Sequence, residues 1–252
     1  MFSSYDFGYA WPWTHGHLIP LAAFGFLALV AMRRKWPRWI AIICGVGVLW
    51  ALAGLAVVHY VFRINRPLLL PTDRFLTSGS GRVLDAGAGS GRSALMVLLA
   101  RSGAKVVALD NFSATYIDGH GPEKLHRNAR AAGVDDRLEV VTGDMRSMPL
   151  ETGSFDAAVS AFAIDHLSSD GAAKALAEVA RVLRPDGEFM LMIIHGDGWA
   201  RLAYPLVHRH MYYGRRSALD RWSARLSAAG FDIVEHGTPP MTLYFLCRKA
   251  QH

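Results

Sequence analysis

The chain is poor in cysteine: two in 252 residues. Cys44 lies in an apolar run and Cys247 near the end, neither at metal-ligand spacing. That argues against a disulfide framework and fits a reducing compartment. Acidic residues are missing between Asp6 and Asp73, and no Lys or Arg precedes Arg33. A cleaved secretory leader needs a positive stretch ahead of its apolar segment, so the second absence argues against one. Residues 39–62 lack charge of either sign. At ~1.5 Å per residue such a run crosses a ~30 Å hydrocarbon core with tilt to spare. The Gly-x-Gly-x-x-Gly dinucleotide fingerprint is absent too. Gly87, Gly89 and Gly91 alternate, and position 92 is Arg.

What is present is apolar and basic. Hydrophobic residues make up 52%, the mean hydropathy is positive, and the formal charge is +6. Residues 1–16 are rich in aromatics, and 18–32 is an uncharged apolar run closed by basic residues from Arg33 to Arg38. Residues 1–63 therefore read as a membrane anchor of two hydrophobic helices, about 18–32 and 39–62. The first is short enough for a stubby span, a re-entrant piece or an interfacial helix. Gly45, Gly47 and Gly54 stand at helix-contact spacing, as in a packed hairpin. His59 is placed near the membrane interface. The basic cluster at Arg33–Arg38 pulls that loop toward the cytosol, while Arg63, Arg66 and Arg74 pull the other end there. The expectation is a cytosolic C-terminal domain, with the hairpin loop outside or only partly inserted. Residues 64–80, broken by Pro67 and Pro71, read as a linker, and 81–252 as the catalytic domain.

That domain is organised around residues 83–91. A short apolar run ends at Asp85, alternate glycines follow, and a helix-forming segment starts at Ser93. Strand, tight turn and helix N-terminus together form a socket for the polar end of a nucleotide-like cofactor. Short apolar runs then alternate with helical patterns, which predicts a parallel sheet with helices on both faces. Strands are expected at 82–85, 105–109, 138–142, 157–161 and 188–194, with a terminal hairpin at 231–235 and 242–248. Asp110 ends the second strand, 19 positions after Gly91. An acidic residue there suits ribose hydroxyls, or it caps a helix.

The succession Asp85-x-Gly-x-Gly-x-Gly, Gly143-Asp144, Met148-Pro149, Ser154-Phe155-Asp156, Asp165-His166-Leu167, Glu178 and Arg181 to Gly187 resembles class I S-adenosylmethionine-dependent methyltransferases. The likeness is to the quinone-biosynthesis branch and covers about residues 82–249. It implies a Rossmann-like, doubly wound, mostly parallel seven-stranded α/β sheet with a C-terminal antiparallel hairpin, preceded here by two transmembrane helices. It also implies S-adenosylmethionine as cofactor. Asp85, Gly87, Gly89 and Gly91 would line its methionine end, Asp110 its ribose, Asp144 and Met145 its adenine, with Ala88 and Asn111 also cofactor-binding and Ala161 bordering the site.

Methyl transfer asks an enzyme to align the acceptor, exclude water and remove a proton where needed. Asp165, His166 and His195 follow strands four and five and are the catalytic candidates. Two of them also have a structural reading: Asp165 as a helix cap, His166 as a partner of a backbone carbonyl. His208 and His210 read as a surface pair rather than metal ligands, and no metal is expected. Tyr116, Trp199, Tyr204 and Tyr212 are the substrate-side candidates; His120 shares the loop of Tyr116. The arginines and aromatics between Trp199 and Arg225 (Trp222 among them) suit headgroups or a lipid-soluble acceptor. The expected partners are the bilayer and a hydrophobic or amphipathic small molecule (lipid, quinone-like or thiol), with nucleic acid less favoured. A protein or RNA methyltransferase at the membrane, and a non-catalytic S-adenosylmethionine-binding module, stay as alternatives.

Overall fold

The computed structural model describes residues 5–113, 117–119, 121–205 and 215–251. Three helices come first: α1 (Trp11–His15), α2 (Leu18–Arg33) and α3 (Arg38–Ala56), the last continuing through a wider turn, Val57–Val61. The sheet follows as β1 (Ser80–Ala86), α4 (Arg92–Ala100), β2 (Gly103–Asp110), α5 (Pro122–Ala132), β3 (Leu138–Thr142), β4 (Phe155–Ala161), α6 (Ser169–Val182) and β5 (Leu183–Ile194). Then come α7 (Gly198–Ala203), α8 (Arg215–Ala228), β6 (Phe231–Gly237) and β7 (Thr242–Lys249). The strand order is β3-β2-β1-β4-β5-β7-β6, with β7 alone antiparallel to its neighbours.

The two-residue period of the strands sorts the core into two layers. Leu84, Ala86, Val107 and Leu109 face α6 and α8, where Leu176, Val179, Trp222 and Leu226 are buried. Val83, Val106 and Ala108 face the opposite way, toward Leu95, Leu98 and Leu125 of α4 and α5. Val83 pairs with Val106 and with Ala157, so β1 is central and its carboxyl end lies at the middle of the sheet edge. Trp222, taken from the sequence as interfacial, is a core residue with the Arg225 guanidinium 4.8 Å above its ring.

The N-terminal third departs from expectation in three ways. Among the described residues only Arg38–Val61 is long and apolar enough to cross a membrane; α2, at 16 residues, spans about 24 Å, so two transmembrane helices are not what the structure supports. The stretch 64–80 is not a loose linker. Phe75 and Leu76 are buried in the α4–α5 layer, Arg101 donates to the carbonyls of Phe75 and Asp73, and Leu76 N–H donates to Glu188. Residues 5–9 also belong to that layer, through Phe7.

α2 and α3 pack as a hairpin, but on two of the three glycines. A Cβ on Gly47 would fall 2.5 Å from the Phe24 ring and one on Gly54 2.2 Å from His17, whereas Gly45 faces open space. Gly54→Val is therefore expected to destabilise the hairpin by about 1–3 kcal/mol through overpacking, and Gly45→Val to leave it unchanged. Chemical unfolding of the two variants in detergent micelles checks this contrast.

Candidate functional site

The site is built at the carboxyl end of β1. Gly87, Gly89 and Gly91 all have positive φ (82°, 52° and 93°), a region closed to most side chains. At Gly87 the requirement is doubled, since a Cβ would lie 2.4 Å from Ala163 Cβ and 2.7 Å from Met145 Cε. The Gly87 and Ala88 amides donate to Leu109 O (2.8 and 3.2 Å), which curls the turn over the end of β2.

Asp85 is wholly buried beneath this turn. Both its carboxylate oxygens accept from Ser93 Oγ, at 2.9 and 2.8 Å. Burial pushes its pKa up to about 7; the Ser93 hydrogen bond opposes the rise and the Asp110 charge adds to it. Asp110 braces the turn from the side, accepting Gly89 N–H at 2.8 Å and Phe112 N–H at 2.6 Å. Asn111 accepts from Ser113 in a local turn. Asp144 is gripped by Arg146 through contacts of 2.5 to 3.0 Å, which hold its carboxyl below the usual range. Met145 lies beside Gly87.

The residues expected from the sequence to face an acceptor lie past β4 and β5. Ala161 ends β4, and Ser160 Oγ donates to Ala86 O at 2.7 Å, locking β4 to β1. The cap of α6 is Ser168, which accepts from Gly171 N–H. Asp165 does something else: its Oδ2 accepts the Ile194 N–H at 2.9 Å, while its Oδ1 is buried without a partner. Burial raises the Asp165 pKa, and the neighbouring His166 and the Ile194 N–H pull it back. His166 is exposed and His195 is buried. His195 lines a cavity of about 200 Å³ with Leu219, His236, Gly237, Thr238 and Leu243. Asp197 caps α7 and also accepts from Met241 N–H, which latches the β6–β7 turn beside that cavity.

Trp199 is half exposed on α7. Tyr204 is spoken for: its hydroxyl donates to Trp13 O at 2.7 Å and its ring packs on Trp13 and Phe62. Tyr116, Tyr212, His120, His208 and His210 lie outside the described residues. Sequence reasoning missed Ser93, whose place in the first turn after Asp85 was the available signal. It also missed what Glu178 does. That carboxylate accepts Met148 N–H and pairs with Arg181, which donates to Met148 O and Leu150 O. The pair clamps the segment after β3 that carries Asp144 and Met145.

A glycine turn that leaves room for close approach, a buried carboxylate below it and an acidic residue ending β2 fit a nucleoside cofactor carrying positive charge at its amino-acid end. The parallel sheet with one antiparallel strand makes this a Rossmann-like fold of the methyltransferase kind. Comparison with known proteins agrees. Residues 83–187 match a family described as a methyltransferase domain. The chain is 39% identical over 177 residues to a demethylmenaquinone methyltransferase of Clavibacter sepedonicus, covering 62% of this chain and 67% of that one. It is 34% identical to a ubiquinone/menaquinone biosynthesis C-methyltransferase of Paracoccus denitrificans (44% and 41% covered) and 35% identical to a 24-methylenesterol C-methyltransferase of Oryza sativa (43% and 28%). Among solved structures, an O-methyltransferase of Planctomyces limnophilus in complex with apigenin aligns with a TM-score of 0.56 at 17% identity (84% and 69% covered). The [4+2]-cyclase SpnF aligns with 0.54 at 18% (71% and 78%); both show the fold alone. The chain belongs to the S-adenosylmethionine-dependent methyltransferases, and S-adenosylmethionine is its cofactor. It spans less than two thirds of the length of several of these curated relatives.

The raised pKa of Asp85 has a sign that can be measured. Folding tolerates the neutral acid, so the cofactor-free protein loses stability as pH climbs from the ordinary carboxylate range through about 7. A cationic ligand at the turn favours the ionised form, so its affinity is expected to rise with pH up to about 7 and level off above. Calorimetric titration with S-adenosylmethionine across that range, with Asp85→Asn as a weaker and pH-flat comparison, checks both directions.

Proposed function

We propose that the chain methylates a lipid-soluble ring acceptor, of quinol or sterol kind, taken from a bilayer into which its hairpin is inserted, with the catalytic domain on the cytosolic face. The observation that carries this reading is the seam between α3 and α7. Trp50 of α3 donates from Nε1 to Leu202 O at 3.0 Å, and Val57, Val58, Ile64 and Ala203 form a buried cluster around it. The acceptor-side helix is thereby docked on the helix that, among the described residues, suits lipid by length and composition. The outward face of the hairpin is apolar along its length: Phe26 is 68% exposed, Ile42 65% and Leu49 68%. Contiguous apolar exposure of that kind is rare on soluble monomers. The names of the relatives, a demethylmenaquinone methyltransferase, a ubiquinone/menaquinone biosynthesis C-methyltransferase and a 24-methylenesterol C-methyltransferase, support an acceptor of this kind.

The cofactor supplies an electrophilic methyl on a sulfonium. The protein's share is to hold the nucleophilic atom in line, keep water out and receive one proton. With a quinol ring carbon as nucleophile, methylation would displace one ring proton, which calls for a base held at that carbon. Asp165 Oδ1 is the acceptor for that proton, being buried and uncommitted at the edge of β4. His195 with His236 and Thr238 lines the cavity that receives the ring.

The test is methyl transfer by the full chain to a reduced prenylated naphthoquinone in vesicles. Asp165→Asn is expected to lower kcat about 100-fold while cofactor affinity holds. Charges placed on the lipid face, Ile42→Lys with Leu49→Lys, are expected to release the folded protein from floated vesicles. Labelling of a soluble protein or RNA pool in place of any lipid-soluble ring would overturn the reading.

A further inference from the structure

We propose that Arg92 is a positioning residue that couples the cofactor turn to the foot of the membrane helix, so that each is steadied when the other is held. The lipid side of this statement rests on the membrane reading above; the coupling within the protein does not.

Arg92 is the first residue of α4, directly after the left-handed Gly91. A cation is electrostatically misplaced at a helix N-terminus, and the cofactor that this turn receives is itself cationic. Helix stability therefore does not account for an arginine here. Its contacts do. Nε donates to Arg66 O at 3.0 Å, and Nη2 donates to Phe62 O at 3.3 Å and Arg63 O at 3.2 Å. These carbonyls lie just past the end of the long apolar helix, where helical carbonyls run out of partners and a positive group is favoured. One side chain thus starts the cofactor helix and closes the membrane helix. The link is returned by the backbone, since Leu68 N–H donates to Arg92 O at 3.4 Å.

A second connection meets the first. Nη1 of Arg92 donates to the Tyr9 hydroxyl at 3.3 Å, and the guanidinium lies 5.8 Å and 5.6 Å from the ring centres of Phe7 and Tyr9. That strap of residues leads into α1 and α2, and it is clasped to the cofactor turn independently. Asn128 Nδ2 donates to both Asp6 O and Ser90 O at 2.9 Å, and its Oδ1 accepts Asp6 N–H. Buried Lys124 pairs with Asp6 at 3.0 Å. Tyr9 bridges to Ile117, whose Cδ1 would stand 3.5 Å from a Cβ on Gly89. The glycine turn is therefore held by Asn128 on one flank and Arg92 on the other, and both reach the segments that carry the hairpin. A ligand that orders the turn orders the foot of α3, and by reciprocity a membrane that fixes α3 favours the ligand.

The experiment is amide hydrogen exchange of the full chain in lipid nanodiscs, with and without S-adenosylhomocysteine, alongside calorimetric affinity. In the wild type the ligand is expected to slow exchange in the glycine turn and also in residues 5–9 and 57–68. Arg92→Gln is expected to keep the protection of the turn, lose it at 57–68 and weaken binding about 5- to 10-fold. Arg92→Lys keeps the charge but cannot fork to three carbonyls, and is expected to restore little of the coupling. Should Arg92→Gln fail to fold, Tyr9→Phe removes a single acceptor and is expected to reduce the protection of 5–9 with packing intact. Ligand protection confined to the turn in the wild type, or unchanged protection of 57–68 in Arg92→Gln, would overturn the proposal. Failure of the wild type to float with vesicles would instead overturn the membrane reading, while the same exchange measured in detergent still decides the coupling.

Discussion

A buried carboxylate beneath a turn that only glycine can make is the constraint on which the site depends. Asp85 has no exposure, and its one hydroxyl partner, Ser93, comes from the helix that the turn begins. An unpaired buried charge is costly, so the cofactor-free protein holds this group near the point of protonation. Positive charge arriving at the turn relieves that cost, and the relief is free energy available for binding. Asp110 serves the same end from outside by accepting Gly89 N–H, which keeps the turn in the shape that admits the ligand.

Around this constraint the N-terminal third is fitted as part of the enzyme. Phe7, Phe75 and Leu76 complete the core layer over α4 and α5, Trp50 joins the hairpin to α7 through Leu202 O, and Tyr204 joins the end of α7 to α1 through Trp13 O. An anchor attached by a flexible tether would set only the distance between catalyst and bilayer. On the membrane reading proposed above, a hairpin packed directly on α7 would set orientation as well as distance.

Much of the catalytic domain was legible in the residues themselves. The parallel core of the sheet follows from alternating apolar runs and the rule that parallel strands need helical crossovers, and the glycine turn with Asp85 and Asp110 ends β1 and β2 as the motif implied. Legibility failed where contacts cross long stretches of chain. Three glycines at helical spacing looked equivalent, yet only Gly47 and Gly54 face α2, because spacing gives a face and not its direction. Asp165 could have capped a helix by position; that it reaches Ile194 N–H depends on how β5 lies beside β4. Arg92 was informative in sequence only for excluding a dinucleotide fingerprint, since its partners lie 26 to 83 positions away. Trp222, in an arginine-rich stretch, looked interfacial and is core, because α8 turns that side chain to the sheet.

The central claim is that the turn at residues 87–91 grips the methyl donor. Calorimetric titration of the intact folded chain with S-adenosylhomocysteine, beside a Gly87→Leu variant whose added side chain would meet Ala163 and Met145, tests it most directly. Saturable one-site binding is expected in the wild type and none in the variant. Equal binding by both, or no binding by the wild type while a nicotinamide dinucleotide binds well, would contradict it.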